Sequence, residues 1–115
     1  MRDPLLAPPA NPRPAVVLLP AELDIANAHL FSEQLSAALV SGASVVIADM
    51  TGTTFCDSTG VRILVQARQQ AMANHTDLRL VVPHTHVRRT LGRMGVGELL
   101  SIYLTFQEAL TRQDG

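Results

Sequence analysis

Asp57-Ser58-Thr59-Gly60 places one carboxylate and two hydroxyls in consecutive positions, between Phe55-Cys56 and an apolar run that starts at Val61. Two kinds of chemistry fit such a cluster. A side-chain oxygen at a helix start accepts a bond from an unpaired backbone N–H, a cap worth about 1 kcal/mol. A serine hydroxyl in the same place also accepts a phosphoryl group. The two readings are compatible, because the free N–H groups and the positive end of the helix dipole suit a phosphate. A partner docked there would then meet about two negative charges in place of a neutral hydroxyl. Thr59 carries the same chemistry one residue later, inside the first turn.

Taken alone, Asp57 is a capping residue and Asp24 a turn former. Both also follow segments that should be neighbouring strands at one edge of a sheet, which would bring them near Ser58. Placed there, Asp24 would help orient the serine, and both carboxylates would repel a phosphate. Glu22, two residues before Asp24, joins this set.

Other chemistries find less support. A serine hydrolase needs a base and an oxyanion site. No G-x-S-x-G surrounds Ser58, and no histidine is placed by sequence to serve it. His29, His75, His84 and His86 lack metal-ligand spacing with a cysteine or carboxylate cluster, so they read as surface or turn residues and no metal or cofactor is expected. The one cysteine, Cys56, excludes an intramolecular disulfide and reads as a small buried apolar residue. Arg88, Arg89 and Arg93 form a small basic run, either a solvated face or a contact for an acidic patch on a partner.

The elements that must position these residues follow from periodicity. Ala15 to Leu19 is a short β-branched run ended by Pro20, and reads as a strand. Glu22-Leu23-Asp24 reads as a polar turn. From Asn27 to Val40, Leu30, Phe31, Leu35, Ala38 and Leu39 fall at helical spacing, with Asn27 or Asp24 as the cap and Gly42 at the exit. Val45 to Ala48 is apolar at every position, the pattern of a strand covered on both faces. Asp49 to Phe55 is read as the loop that follows. Ser58 or Thr59 opens the next helix, whose stripe of Val61, Leu64, Val65, Ala67, Ala71 and Met72 includes Arg68. Val61, Ile63 and nearby apolar positions outnumber one buried stripe, so some of them are expected to be exposed as part of a docking surface. Leu78 to Val82 reads as a strand, Val87 to Met94 as a short helix, and Leu99 to Tyr103 as a last strand. Thr105 caps a closing helix, with Glu108 as its capping-box partner.

The chain has 115 residues, 47% of them hydrophobic and 17% charged, which suits one globular domain. A net charge of -1 argues against a bulk electrostatic grip on nucleic acid or anionic lipid. All cationic residues are arginines, so a catalytic lysine is ruled out. Residues 1–14 hold five of the seven prolines and read as a tail, with one edge strand near Leu5-Leu6. Residues 15–115 form the expected domain. No apolar stretch has signal-peptide or membrane-spanning character, so a soluble, cytoplasmic protein is expected. Strands alternate with helices, which makes the fold class α/β with a mostly parallel sheet.

The order strand, Glu22-Leu23-Asp24, helix, buried strand Val45 to Asp49, then Phe55 to Gly60 and a helix resembles the STAS domain. Within it, the resemblance is to the bacterial anti-sigma factor antagonists, and spans roughly residues 15–110. It implies a mixed, mostly parallel sheet of about four to five strands with about four helices. It also implies a switch. The unphosphorylated antagonist binds an anti-sigma factor that is also a serine kinase, and frees the sigma factor. The kinase phosphorylates the serine directly after the Asp, here Ser58, and a serine phosphatase resets it. Glu22, Asp24, Asp57, Thr59 and Gly60 would support the phosphosite or the partner contact. The chain departs from the family pattern at Ala21, where glycine usually precedes Glu-Leu-Asp, and at Val61-Arg62 after the hydroxyl pair. The rival reading is a STAS scaffold that does not switch, a subunit of a stress-sensing or lipid-transport assembly, with Ser58 acting only as a cap.

Overall fold

The computed structural model describes residues 13–112. The expected edge strand near Leu5-Leu6 lies outside them. A four-stranded sheet has the order β1 (Ala15–Leu18), β3 (Val45–Asp49), β5 (Asp77–Val81), β6 (Ile102–Tyr103). A second, two-stranded sheet pairs β2 (Glu22–Leu23) with β4 (Phe55–Cys56), and every pairing in both sheets is parallel. Four helices connect them: α1 (Ala28–Leu39), α2 (Ser58–Ala73), α3 (Thr85–Arg93) and α4 (Phe106–Thr111). The α/β class and the mostly parallel sheet are as the sequence implies.

Strand position explains strand composition. Central β3 is covered on both faces, so Val46, Ile47 and Ala48 are all buried. β1, the outermost strand among the described residues, alternates, with Val17 buried and Val16 and Leu18 exposed. Leu78 and Leu80 of β5 join Val46 and Ala48 in the larger core, against Leu35 and Leu39 of α1 and Leu64, Ala67 and Ala71 of α2. Residues of the opposite parity serve the other face, where Ile47 and Val81 pack with Ala109 of α4. Arg79 belongs to that face too, and is buried. Its Nε and Nη2 donate to Asp77 Oδ2 at 3.0 and 2.8 Å, and its Nη1 donates to the Ala109 carbonyl at 2.6 Å.

Several sequence readings are corrected. Glu22-Leu23 is a strand rather than a turn, because Phe55-Cys56 lies alongside it; the loop after β3 therefore ends at Thr54. The α1 stripe begins at Ala28, and Leu30 is exposed. Val61 and Ile63 are buried, not part of a docking surface, because α2 packs against α1, β4 and β5 together and needs a wider apolar face than one stripe. Met72, in the last turn of α2, is 58% exposed. Helix α3 starts at Thr85, and β6 is only two residues long because the Leu99 and Leu100 N–H groups both turn back to the Val96 carbonyl. Thr105 Oγ1 does cap α4 by accepting from Glu108 N, but Glu108 Oε1 reaches Leu104 N rather than Thr105.

Candidate functional site

The β2–β4 pair is the platform of the site. Register pairs Leu23 with Cys56, so Asp24 and Asp57 follow at the same level on adjacent strands. Two threonines fasten the approach. Thr53, fully buried, donates its hydroxyl to the Pro20 carbonyl at 2.7 Å, and Thr54 N donates to the Ala21 carbonyl at 2.8 Å. The Asp57 N–H then donates to the Leu23 carbonyl at 3.1 Å.

The cap of α2 is Asp57, not Ser58. Asp57 Oδ1 accepts from Gly60 N at 2.9 Å, and its Oδ2 accepts from Ile25 N at 3.2 Å. One carboxylate thus satisfies a first-turn amide of α2 and ties that turn to the β2–α1 connection. Asp24 organises the connection itself. Its Oδ1 accepts from Ala26 N, and its carbonyl accepts from Asn27 N and Ala28 N. Asn27, expected as an alternative to Asp24 for the cap of α1, stands at the N-cap position but makes no side-chain cap bond; it braces Asp24 and Glu22, its Oδ1 accepting from Asp24 N and its Nδ2 donating to the Glu22 carbonyl.

Ser58 is the first residue of α2 and is exposed, while Thr59 is half-buried. Among the described residues the Ser58 hydroxyl makes no hydrogen bond, and the Ser58 and Thr59 N–H groups are unpaired, as the first amides of a helix are. Gly60 is buried because nothing larger fits. A Cβ there would lie 2.7 Å from the Leu23 carbonyl oxygen and 2.8 Å from Cys56 Sγ. Exposed Ile25 and Phe55 add apolar surface on the two strands' flanks.

Cys56 lies beneath this surface. Burial, with the Asp57 carboxylate adding to it, pushes its thiol from an ordinary 9.0 up to about 12. The thiol is therefore neutral and a poor nucleophile. Among the described residues no three His, Cys, Asp or Glu side chains cluster as metal ligands would. The four histidines are exposed. Of the basic run, Arg88 is taken up by structure, donating to the Val82 and Pro83 carbonyls at the end of β5, and Arg89 and Arg93 remain exposed. The structure therefore brings Asp24, Asp57, Ser58, Thr59 and Gly60 to the C-terminal end of the β2–β4 platform, while Glu22 opens β2 opposite Phe55. The Ile25–Asp57 bond was missed from sequence, because a backbone donor leaves no residue-type signal.

This arrangement is a fixed helix start presenting a free hydroxyl beside carboxylates, on an α/β scaffold of parallel strands. The family model for the STAS domain matches residues 7–109, and the chain belongs to the STAS domain family. No curated protein sequence matches the chain. Among solved structures, a candidate anti-sigma factor antagonist of Thermotoga maritima is 26% identical, with a TM-score of 0.73 over 84% of this chain and 88% of that one. The anti-sigma factor antagonist SpoIIAA in its unphosphorylated form is 26% identical, with a TM-score of 0.69 over 85% of this chain and 86% of that one. The phosphorylated form of the same Bacillus cell-fate determinant matches at 25% identity, a TM-score of 0.60, and 82% and 85% coverage. The murine anion transporter Slc26a9 shares the fold over 82% of this chain but only 16% of its own, at 21% identity and a TM-score of 0.67. Among the described residues no helix is long and apolar enough to cross a membrane.

Proposed function

We propose that the chain is an anti-sigma factor antagonist, a non-enzymatic cytoplasmic binding module switched by phosphorylation of Ser58. The observation that carries this reading is the division of labour at the start of α2. Asp57 does the capping, so among the described residues the Ser58 hydroxyl is bonded to nothing, and it stands exposed. A scaffold in which Ser58 served only as a cap would not leave it so. The likeness to SpoIIAA, solved with and without its phosphate, supports the same reading.

In the unphosphorylated state, Ser58 and its surroundings dock on an anti-sigma factor that is also a serine kinase, and the sigma factor is released. Asp24, held by its own turn, and Asp57 position the segment, and Glu22 adds negative charge beside them. The kinase transfers the γ-phosphoryl group of ATP to Ser58 Oγ, its own base takes the hydroxyl proton, and ADP leaves. The new phosphate is tolerated within this chain, because the unpaired Ser58 and Thr59 amides and the α2 dipole face it. Its charge falls instead on the partner contact, already flanked by Glu22, Asp24 and Asp57, and the complex separates. A serine phosphatase resets the switch by hydrolysis.

Binding of two variants to the anti-sigma kinase tests this. Ser58→Ala removes a hydroxyl with no bond, and is expected to bind within a few-fold of the parent. Ser58→Asp is expected to bind at least about tenfold more weakly, near 1.4 kcal/mol. Equal binding by both variants would contradict the charge account.

A further inference from the structure

Arg68 is the one charged residue in the apolar stripe of α2. Leu64 and Ala71, at i−4 and i+3, are both buried. Arg79 and Arg88 spend their donors on carboxylate and carbonyl oxygens. Arg68, half-buried, makes no hydrogen bond or ion pair among the described residues. It lines a cavity of about 160 Å³ whose apolar wall is Ala71, Met72, Leu78, Leu80 and Leu100, with Thr76, Asp77 and Ser101 completing the rim.

The cavity exists because β6 is short. It pairs only with Leu80 and Val81, so the first half of β5 has no strand beside it on that edge. Asp77 N donates to the Ser44 carbonyl at 2.9 Å, on the β3 side, and Leu80 N donates to the Ser101 carbonyl at 2.8 Å, on the β6 side. Alternation along β5 therefore turns the Leu78 N–H to the β6 side as well. Leu78 is only 7% exposed, and no acceptor among the described residues meets that N–H. A buried donor without a partner calls for an acceptor from outside the chain.

We propose that this cavity is a binding site for a small carboxylate with a short apolar tail, such as a free five-carbon acid. The carboxylate would bind the Arg68 guanidinium and the Leu78 N–H, and the tail would lie against Ala71, Leu80 and Leu100. Size sets the class: a cavity of roughly 150 Å³ holds benzene, so a ligand of about seven non-hydrogen atoms fits. The charge is complementary as well. Asp77 also lines the cavity, but its carboxylate is held by Arg79 Nη2 at 2.8 Å, which leaves the Arg68 cation as the one unpaired charge of the lining among the described residues. The site is separate from Ser58, ten residues or about 15 Å along α2.

The test is a titration of the ¹⁵N-labelled protein with sodium pentanoate, followed through backbone amide shifts, with acetate and pentanamide as comparisons. Saturable shifts are expected at Ala71, Leu78 and Ser101, with acetate and pentanamide at least tenfold weaker. Arg68→Gln should remove the saturable response while the rest of the spectrum is kept. Ser101→Leu, which fills the cavity from an exposed position, should remove it too, and stands in should the first variant fail to fold. Absence of saturable shifts at these amides, equal responses to pentanoate and pentanamide, or unchanged responses in the folded variants each overturns the proposal.

Discussion

Asp57 Oδ2 accepts a hydrogen bond from Ile25 N at 3.2 Å, across 32 residues of chain, while the same carboxylate caps α2 through Gly60 N. Asp24 and Ser58 are the chain neighbours of those two bonded residues. The bond therefore fixes the loop carrying Asp24 against the turn carrying Ser58. Asp57→Ala should cost about 1–2 kcal/mol of stability, the worth of a lost cap plus one long-range bond. It should also slow phosphorylation of Ser58 by an anti-sigma kinase. Urea unfolding and initial rates of phosphate incorporation measure the two effects; a variant of unchanged stability would mean the cap is dispensable.

Gly60→Ala tests how closely α2 approaches β2. In an open helix the change would gain about 1 kcal/mol. Here the new Cβ would meet the Leu23 carbonyl oxygen at 2.7 Å, a backbone atom held in the β2–β4 pairing. Net destabilisation of about 1–3 kcal/mol is expected, read as a lower midpoint in thermal unfolding. A raised midpoint would show that the platform moves aside.

Cys56 predicts an alkaline weakness. In the unfolded chain its thiol ionises near 9.0, whereas in the fold it stays protonated up to about 12. Above the lower value the unfolded state gives up a proton that the native state keeps. Stability therefore falls as pH rises from 9, by up to about 1.4 kcal/mol per pH unit. The chain has no lysine to titrate in the same window. Cys56→Ala should remove this part of the slope in denaturation curves collected from pH 8 to 10.5. A slope identical to the parent's would remove Cys56 as the cause.

Arg79 holds α4 to the sheet through a buried cation. Arg79→Met would leave the Asp77 carboxylate without its partner and the Ala109 carbonyl without its donor. A loss of about 3 kcal/mol is expected, with part recovered when Asp77→Asn is added. Equal stabilities of the single and double variants would mean that lost packing, not the stranded charge, sets the cost.

Much of the fold was legible because long periodic segments announce themselves. The all-apolar Val45 to Ala48 read as a covered strand and the α2 stripe as a buried helix face, and Val46 to Ala48 in the one and Val61, Leu64, Ala67 and Ala71 in the other are buried. Glu22-Leu23 and Phe55-Cys56 were not legible as strands, since a two-residue strand has no period and exists only through its partner. The same limit hid the burial of Val61 and Ile63, which depends on α1 and β4 closing over the start of α2. At the site, residue types led to Asp57, Ser58 and Gly60. Which of Asp57 and Ser58 capped the helix turned on one hydrogen bond, and the sequence left both open. Arg79 in Leu78-Arg79-Leu80 looked like an ordinary strand residue, because its partners lie on β5 itself and on a helix 30 residues away.

The central claim is that Ser58 is the switch residue, and the most direct measurement is phosphorylation of the purified protein by ATP with anti-sigma kinases from the same source. Intact mass, phosphosite mapping and kinase binding are read together. The account predicts one phosphate, on Ser58, followed by loss of kinase binding. A phosphate on Thr59 instead, or stable binding to a kinase that never phosphorylates Ser58, would contradict it.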